Sequence, residues 1–162
     1  MPERALPGRL FVSALALSAW LGASLFFSTV VARAAFSVLP SRALAGALVA
    51  QLLPVLFVSG IIVGVLAFLV EVNERVLILR TPRQVAAVSV AVCSLVAQLI
   101  VAPRIERVRA TIGPAVEALD ALDPRRVEFG RLHAVSVGLL GLGLIASAVY
   151  LVTLFLASRP RN

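Results

Sequence analysis

Six polar side chains stand out in this apolar chain as groups that could bind a ligand: Gln51, Gln98, Arg104, Arg131, His133 and Ser136. Glutamine offers both a donor and an acceptor, arginine offers a fork of donors, and histidine can change protonation near neutral pH. Such a set suits an anionic or hydrogen-bonding ligand, a metal complex, or a protonatable step at His133. Helical spacing puts Ser94 and Gln98 on one face. It also puts His133 and Ser136 on one face, with Phe129 a turn earlier. Catalysis has less support. The sequence contains no nucleophile–base pair, paired carboxylates or glycine-rich phosphate loop, so the chain reads as a non-enzyme. One histidine, one cysteine (Cys93) and one methionine leave too few soft ligands for a protein-built metal or haem site. Neither a metal nor a cofactor is expected, and Cys93 reads as a small apolar residue.

The elements that must position these groups follow from composition. The chain has 162 residues, of which 60% are hydrophobic and only 14% charged. A soluble domain averages roughly 45–50% apolar and about 25% charged residues, so the expected solvent is lipid. The net charge is +7. All fifteen basic residues are arginines, and they lie between apolar runs instead of along one polar face. That placement argues against nucleic acid and for membrane-flanking charges, with the lipid bilayer as partner.

A membrane-crossing helix needs about 20 mostly apolar residues. Four runs qualify, at about 10–32, 43–70, 85–101 and 132–157, and none contains an acidic residue. The first is about 23 residues long, beyond the roughly 7–15 of a signal-peptide core, so a retained span is expected. The predicted fold is all-α: a polytopic membrane protein with four transmembrane helices in one domain, 1–162. Ser41 after Pro40, Thr81-Pro82-Arg83-Gln84, and Asp123-Pro124 read as helix starts. The last would begin helix four well outside the membrane. Residues 102–131 form the one sizeable loop. There, Arg104–Arg109 would extend helix three, and Val116, Leu119 and Leu122 predict a short amphipathic helix.

In lipid, small residues let helices approach closely. Gly60 and Gly64 form a GxxxG pair, and Gly22 with Ser18 repeats the spacing. Two uses stay open for these positions: packing within the bundle, or a homo-oligomer through Gly60 and Gly64. Pro54 removes one helical hydrogen bond and predicts a kink. Orientation is undecided, because the arginines divide seven to eight between the two sides. An even number of spans puts both termini on one side.

The polar residues are unevenly distributed in depth. Ser24, Ser28, Thr29 and Arg33, then Gln51 and Pro54, then Ser94, Gln98, Pro103 and Arg104, and finally Arg131, His133 and Ser136 all fall in the membrane half adjoining loops one and three. The opposite half carries only scattered Ser, Thr and Tyr150. Two readings of the crowded half compete. Gln51, Gln98 and His133 could be hydrogen-bonding glue between helices, with the arginines as interfacial anchors. Alternatively they line a polar cavity open to one side.

Four segments carry a resemblance to a known family. They are Ala19-Trp20-Leu21-Gly22 with the run to Val38-Leu39-Pro40; Gln51-Leu-Leu-Pro54-Val-Leu-Phe57; Ala102-Pro103-Arg104 with Arg109; and Phe129-Gly-Arg131-Leu-His133-Ala-Val-Ser136. In order and spacing the chain resembles the four-helix membrane proteins related to animal transmembrane protein 205, a group that includes the bacterial domain of unknown function 4149. Two positions depart from the family pattern: Leu140 stands where an Asn is common, and Leu56 where an aromatic is common. The resemblance implies a four-span bundle in a bacterial cytoplasmic (inner) membrane. Through the animal relative's link to platinum-drug resistance, it also implies handling of metal complexes. A looser likeness to copper-resistance membrane domains points the same way. Two functions therefore stay open: binding or helping to move a small solute or metal complex, and a non-transporting scaffold or assembly factor. The ligand is unknown at this level.

Overall fold

The computed structural model describes residues 8–73, 80–113 and 116–158. Four long helices dominate it: α1 Gly8–Val38, α2 Arg42–Asn73, α3 Thr81–Ile112 and α4 Pro124–Ser158. Their lengths are 31, 32, 32 and 35 residues. At ~1.5 Å per residue each exceeds the ~30 Å hydrocarbon core, so each is long enough to cross and still project beyond it. The described residues contain no strand. This is the expected all-α four-helix membrane bundle.

The helix ends follow local chemistry. The Leu44 backbone N–H donates to Ser41 Oγ at 3.2 Å, which makes Ser41 the N-cap of α2. The Arg125 N–H donates to Asp123 Oδ1 at 2.9 Å, and the Val127 N–H donates to the Asp123 carbonyl at 3.1 Å. Asp123 thus caps α4, with Pro124 in the first helical position. Helix α3 ends at Gly113, whose φ of +83° favours a residue without Cβ. The Thr81-Pro82 signal falls inside the first turn of α3, since Arg80 is already helical.

Loop three differs from expectation. Helix α3 runs through Pro103 to Ile112, as Arg104–Arg109 predicted. In place of the expected amphipathic helix there is a single 3₁₀ turn, Val116–Ala118. Val116 and Leu119 are half-buried, but Leu122 is 85% exposed. Two apolar side chains over a single turn cannot bury enough surface to sustain a separate helix. Arg126 holds the turn in place by donating to the Leu119 carbonyl at 2.7 Å.

Most buried residues fall on one stripe per helix, with alternating spacings of three and four; Ala35, Ala45, Ala86, Val108 and Ala146 are buried outside these runs. On α1 they are Leu10, Ser13, Leu17, Trp20, Ser24 and Phe27. On α2 they are Phe57, Gly60, Gly64, Ala67 and Glu71. On α4 they are Ser136, Leu140, Gly143, Ser147, Tyr150 and Leu154, and α3 repeats the pattern through Arg83, Ala87, Val90, Ser94, Ala97 and Val101. This 3.5-residue repeat is that of knobs-into-holes bundles. Outward faces carry large apolar side chains such as Leu15, Ile62, Leu99 and Ile145, each more than half exposed, a surface suited to lipid.

Two helices contain a π-helical turn, Phe27–Val31 in α1 and Ala97–Val101 in α3. Each closes an i→i+5 bond, Ala32 to Phe27 and Ala102 to Ala97. Both lie in the half adjoining loops one and three. So does Pro54, through which α2 stays helical.

The small residues decide the packing. The Trp20 ring of α1 inserts between α2 and α4. A Cβ added at Gly143 would stand 3.1 Å from it, and one at Gly60 would stand 2.9 Å from it. The indole Nε1–H donates to the Leu56 carbonyl at 2.9 Å. Gly64 packs against the backbone of α3, where an added Cβ would be 2.6 Å from Ala91 N and 2.9 Å from the Ala87 oxygen. The Gly60–Gly64 face is therefore used inside the bundle. Gly22 is different: it faces outward, with nothing within 4 Å of an added Cβ.

Two outcomes are expected. Gly64→Ala should destabilise the bundle by about 1–3 kcal/mol, because backbone atoms cannot yield as a flexible side chain can. Gly22→Ala should be neutral or slightly stabilising. Thermal unfolding of both variants in detergent checks the contrast; equal melting would contradict this packing. The second concerns Asp123. The Arg125 side-chain hydrogen bond, then the Arg125 backbone hydrogen bond, hold its carboxyl down to about 2. A lowered folded-state pKa gives stabilisation that is fully present above the free value of about 4 and is lost as pH falls toward about 2. Amide exchange at Arg125 and Val127 should therefore stay slow down to about pH 4 and accelerate only below it. Asp123→Asn should remove that acid-dependent step.

Candidate functional site

The Trp20 layer divides the bundle into two halves with different chemistry. Toward loop two lies a buried charge network. Arg83 Nε donates to Glu71 Oε1 at 2.8 Å, and both side chains are fully buried. The Tyr150 hydroxyl donates to the same Glu71 oxygen at 2.9 Å. With its single hydrogen on the carboxylate, the phenol oxygen can accept from Ser13 Oγ, 2.9 Å away. One network thus joins α1, α2, α3 and α4. Glu71 Oε2 is buried without a hydrogen-bond partner among the described residues.

This network was not anticipated. Glu71 and Arg83 lie just outside the purely apolar runs, so they read as loop-flanking charges. A signal was present nonetheless. Continuing the Gly60, Gly64, Ala67 spacing reaches Glu71. Counting back along Val90 and Ala87 reaches Arg83. Tyr150 lies on the stripe of Gly143 and Ser147. Extending the small-residue stripes past the apolar runs would have brought all three inward.

Toward loops one and three, four of the six anticipated residues occupy separate places. Gln51 is exposed on the outer face of α2. Ser136 is buried on α4. Gln98 lies in the π-helical turn of α3, half-buried, and its Oε1 has no hydrogen-bond partner among the described residues. His133 is exposed and stacks on Phe129, with ring centroids 6.3 Å apart and planes 5° from parallel. The Arg109 guanidinium lies over the Phe129 ring, 5.7 Å from its centroid. Arg109 also reaches α2, where an added Cβ on Gly46 would be 3.4 Å from its Nη2.

Arg104 and Arg131 do come together. With Arg107 they line one open groove between α3 and α4, together with Glu128 and the apolar residues Val96, Ile100, Val101, Val108, Leu132 and Val135. Glu128, Arg131, Leu132 and Val135 follow helical spacing on α4, which explains why one face of that helix supplies both charge and floor. The three guanidinium groups are exposed, and none forms an ion pair within 4.0 Å among the described residues. The chemistry available is electrostatic. Planar donors at a groove mouth can hold a carboxylate or phosphate in bidentate fashion.

The buried pair generates a test of its own. Arg83→Met leaves the Glu71 carboxylate buried and should cost about 3–5 kcal/mol. Tyr150→Phe removes one neutral donor to a carboxylate and should cost about 1.5–3 kcal/mol. The double variant Glu71→Gln/Arg83→Met should recover part of the loss. A double-mutant cycle on melting in detergent reads the coupling, and strictly additive effects would contradict a direct pair.

Neither curated proteins nor solved structures match the chain. A protein family does match it, over residues 15–113, and it is described as a domain of unknown function, DUF4149. The matched stretch takes in α1 from its second turn, all of α2 and all of α3, and so includes Glu71, Arg83, Arg104 and Arg107. It is more than half of the chain, and this four-helix membrane protein belongs to the DUF4149 family.

Proposed function

We propose that this protein binds a small anionic ligand at the end of the bundle adjoining loops one and three, and that it does so without catalysing a reaction. The observation that carries this reading is the groove between α3 and α4, which Arg104, Arg107 and Arg131 line together. Three guanidinium groups against the single carboxylate of Glu128 leave a positive field at the mouth, which attracts anions and repels cations. A metal would be taken only as part of an anionic complex. His133, Gln98 and Ser136 belong to the same end and support the groove: His133 through its stack on Phe129, Gln98 and Ser136 through the helices that form the walls. Gln51 lies apart from it. Any homo-oligomer would have to use a face other than Gly60–Gly64, which is buried in the bundle. The membrane we infer is a bacterial cytoplasmic membrane, where spanning proteins are helical bundles; outer-membrane proteins there are β-barrels.

The test is ligand-dependent stability of the purified protein in a neutral detergent. Inorganic phosphate, citrate and glutamate serve as probes, with matched chloride as control. A ligand at a hundredfold over its Kd adds ~2.7 kcal/mol to a folded state. At least one anion should raise the melting temperature of the wild type above the chloride control. Arg131→Gln should weaken that response by about 1.5–3 kcal/mol in binding, or roughly ten- to a hundredfold in Kd. Raising the salt concentration should weaken it too. If no anion acts, or if Arg131→Gln and the wild type respond alike, anion binding is ruled out. The scaffold reading, tested by crosslinking to a stable partner in membranes, would then take its place.

A further inference from the structure

We infer that the natural occupant of the arginine groove is an anionic phospholipid, with its phosphate held by Arg104, Arg107 and Arg131 and one acyl chain lying along the groove floor. This rests on the anion-binding reading above and names the ligand class for the same site.

The groove is polarised along its length. On α3, Val96 and Ile100 come first, followed by Arg104 and Arg107. On the antiparallel α4, Val135 and Leu132 lie at the apolar end, and Arg131 and Glu128 at the charged end. Both helices therefore change from apolar to charged in the same direction, from the membrane interior outward. From Val96 to Arg107 the rise is roughly 16 Å at ~1.5 Å per residue. A free anion would use only the charged end of this length. An apolar strip leading from the guanidinium groups back into the hydrocarbon suits a ligand with a tail.

The strip is also open sideways. Ile100 is 47% exposed and Val135 46% exposed, so an acyl chain can enter from the bilayer without crossing water. The π-helical turn Ala97–Val101 lies within the wall, between Val96 and Arg104. Its extra residue offsets the register by about 100° relative to an uninterrupted α-helix. That offset lets the apolar residues before the turn and the arginines after it share one groove. Glu128 at the charged end leaves the site positive overall while opposing a second negative charge beside it. A phosphodiester with one net charge fits this better than a multiply charged headgroup.

The experiment is native mass spectrometry of the full chain released from a neutral detergent, titrated with phosphatidylglycerol, phosphatidylcholine of the same acyl chains, or inorganic phosphate. Phosphatidylglycerol should bind at least about tenfold more tightly than either of the others. Arg131→Gln should lose about tenfold or more of that affinity, the effect of removing one charge-assisted contact. Val135→Trp, which fills the floor at a lipid-facing position, should weaken phosphatidylglycerol while leaving the phosphate response unchanged. Arg33→Gln, an exposed arginine outside the groove, should leave phosphatidylglycerol affinity unchanged. Three results would overturn the inference while leaving anion binding intact: equal binding of the two lipids, phosphate binding as tight as phosphatidylglycerol, or no effect of Val135→Trp. Equal losses in Arg33→Gln and Arg131→Gln would also overturn it, because diffuse surface charge would then be the cause. Absence of any anion or lipid binding would remove both readings together.

Discussion

Lipid sets the terms for this fold. An apolar side chain gains nothing by leaving acyl chains for the inside of a bundle, so burial of leucine and valine cannot by itself hold four helices together. Close backbone approach and polar contacts must do so. Both are present, at different depths. At mid-depth Trp20 fills the space that Gly60 and Gly143 leave open, and Gly64 brings α2 against the backbone of α3. Toward loop two, Glu71, Arg83, Tyr150 and Ser13 tie all four helices through contacts of 2.8–2.9 Å. In water such a buried pair is often no better than an apolar replacement. In a membrane, where apolar packing supplies less, it also fixes the rotation of each helix about its own axis.

The consequence is a bundle with one end tied by an ion pair and the other built from irregular helices. The loop-two end is closed by the ionic network. The opposite end has both π-helical turns, Pro54, the buried Gln98 oxygen without a partner among the described residues, and a groove open to lipid. Local departures from the α-helix cost stability, and they gather where function needs a particular register. The same division separates two arginine environments. At the loop-two end Arg83 is buried and paired with Glu71. At the opposite end Arg104, Arg107 and Arg131 are exposed and line one groove.

The two arginine environments show why residue type alone does not assign a role. Arg83 and Arg104 both flank apolar runs of α3, one at each end. Arg83 falls on the inward stripe and becomes structural. Arg104 follows the π-helical turn, falls beside α4, and stays exposed in the groove. Membership of the DUF4149 family embraces both residues without choosing between their roles. Geometry makes the choice.

Four crossings, helical class, the caps at Ser41 and Asp123, and the continuation of α3 past Pro103 were all determined by the sequence. Each depends on local chemistry: the length of an apolar run, a side-chain oxygen next to a free N–H, or charged residues that keep helical spacing. The uneven depth of polar residues was legible too, and the arginine-lined groove lies in that half. What the sequence left undecided was azimuth, the direction each side chain takes around its helix once four helices pack. Azimuth depends on partners distant in the chain, such as the 79 residues separating Glu71 from Tyr150. A single residue added by a π-helical turn can change it. Only the tertiary structure, therefore, turned Gln51 outward, joined Glu71 to Tyr150, used the Gly60–Gly64 face within the bundle, and set Arg104, Arg107 and Arg131 around one groove.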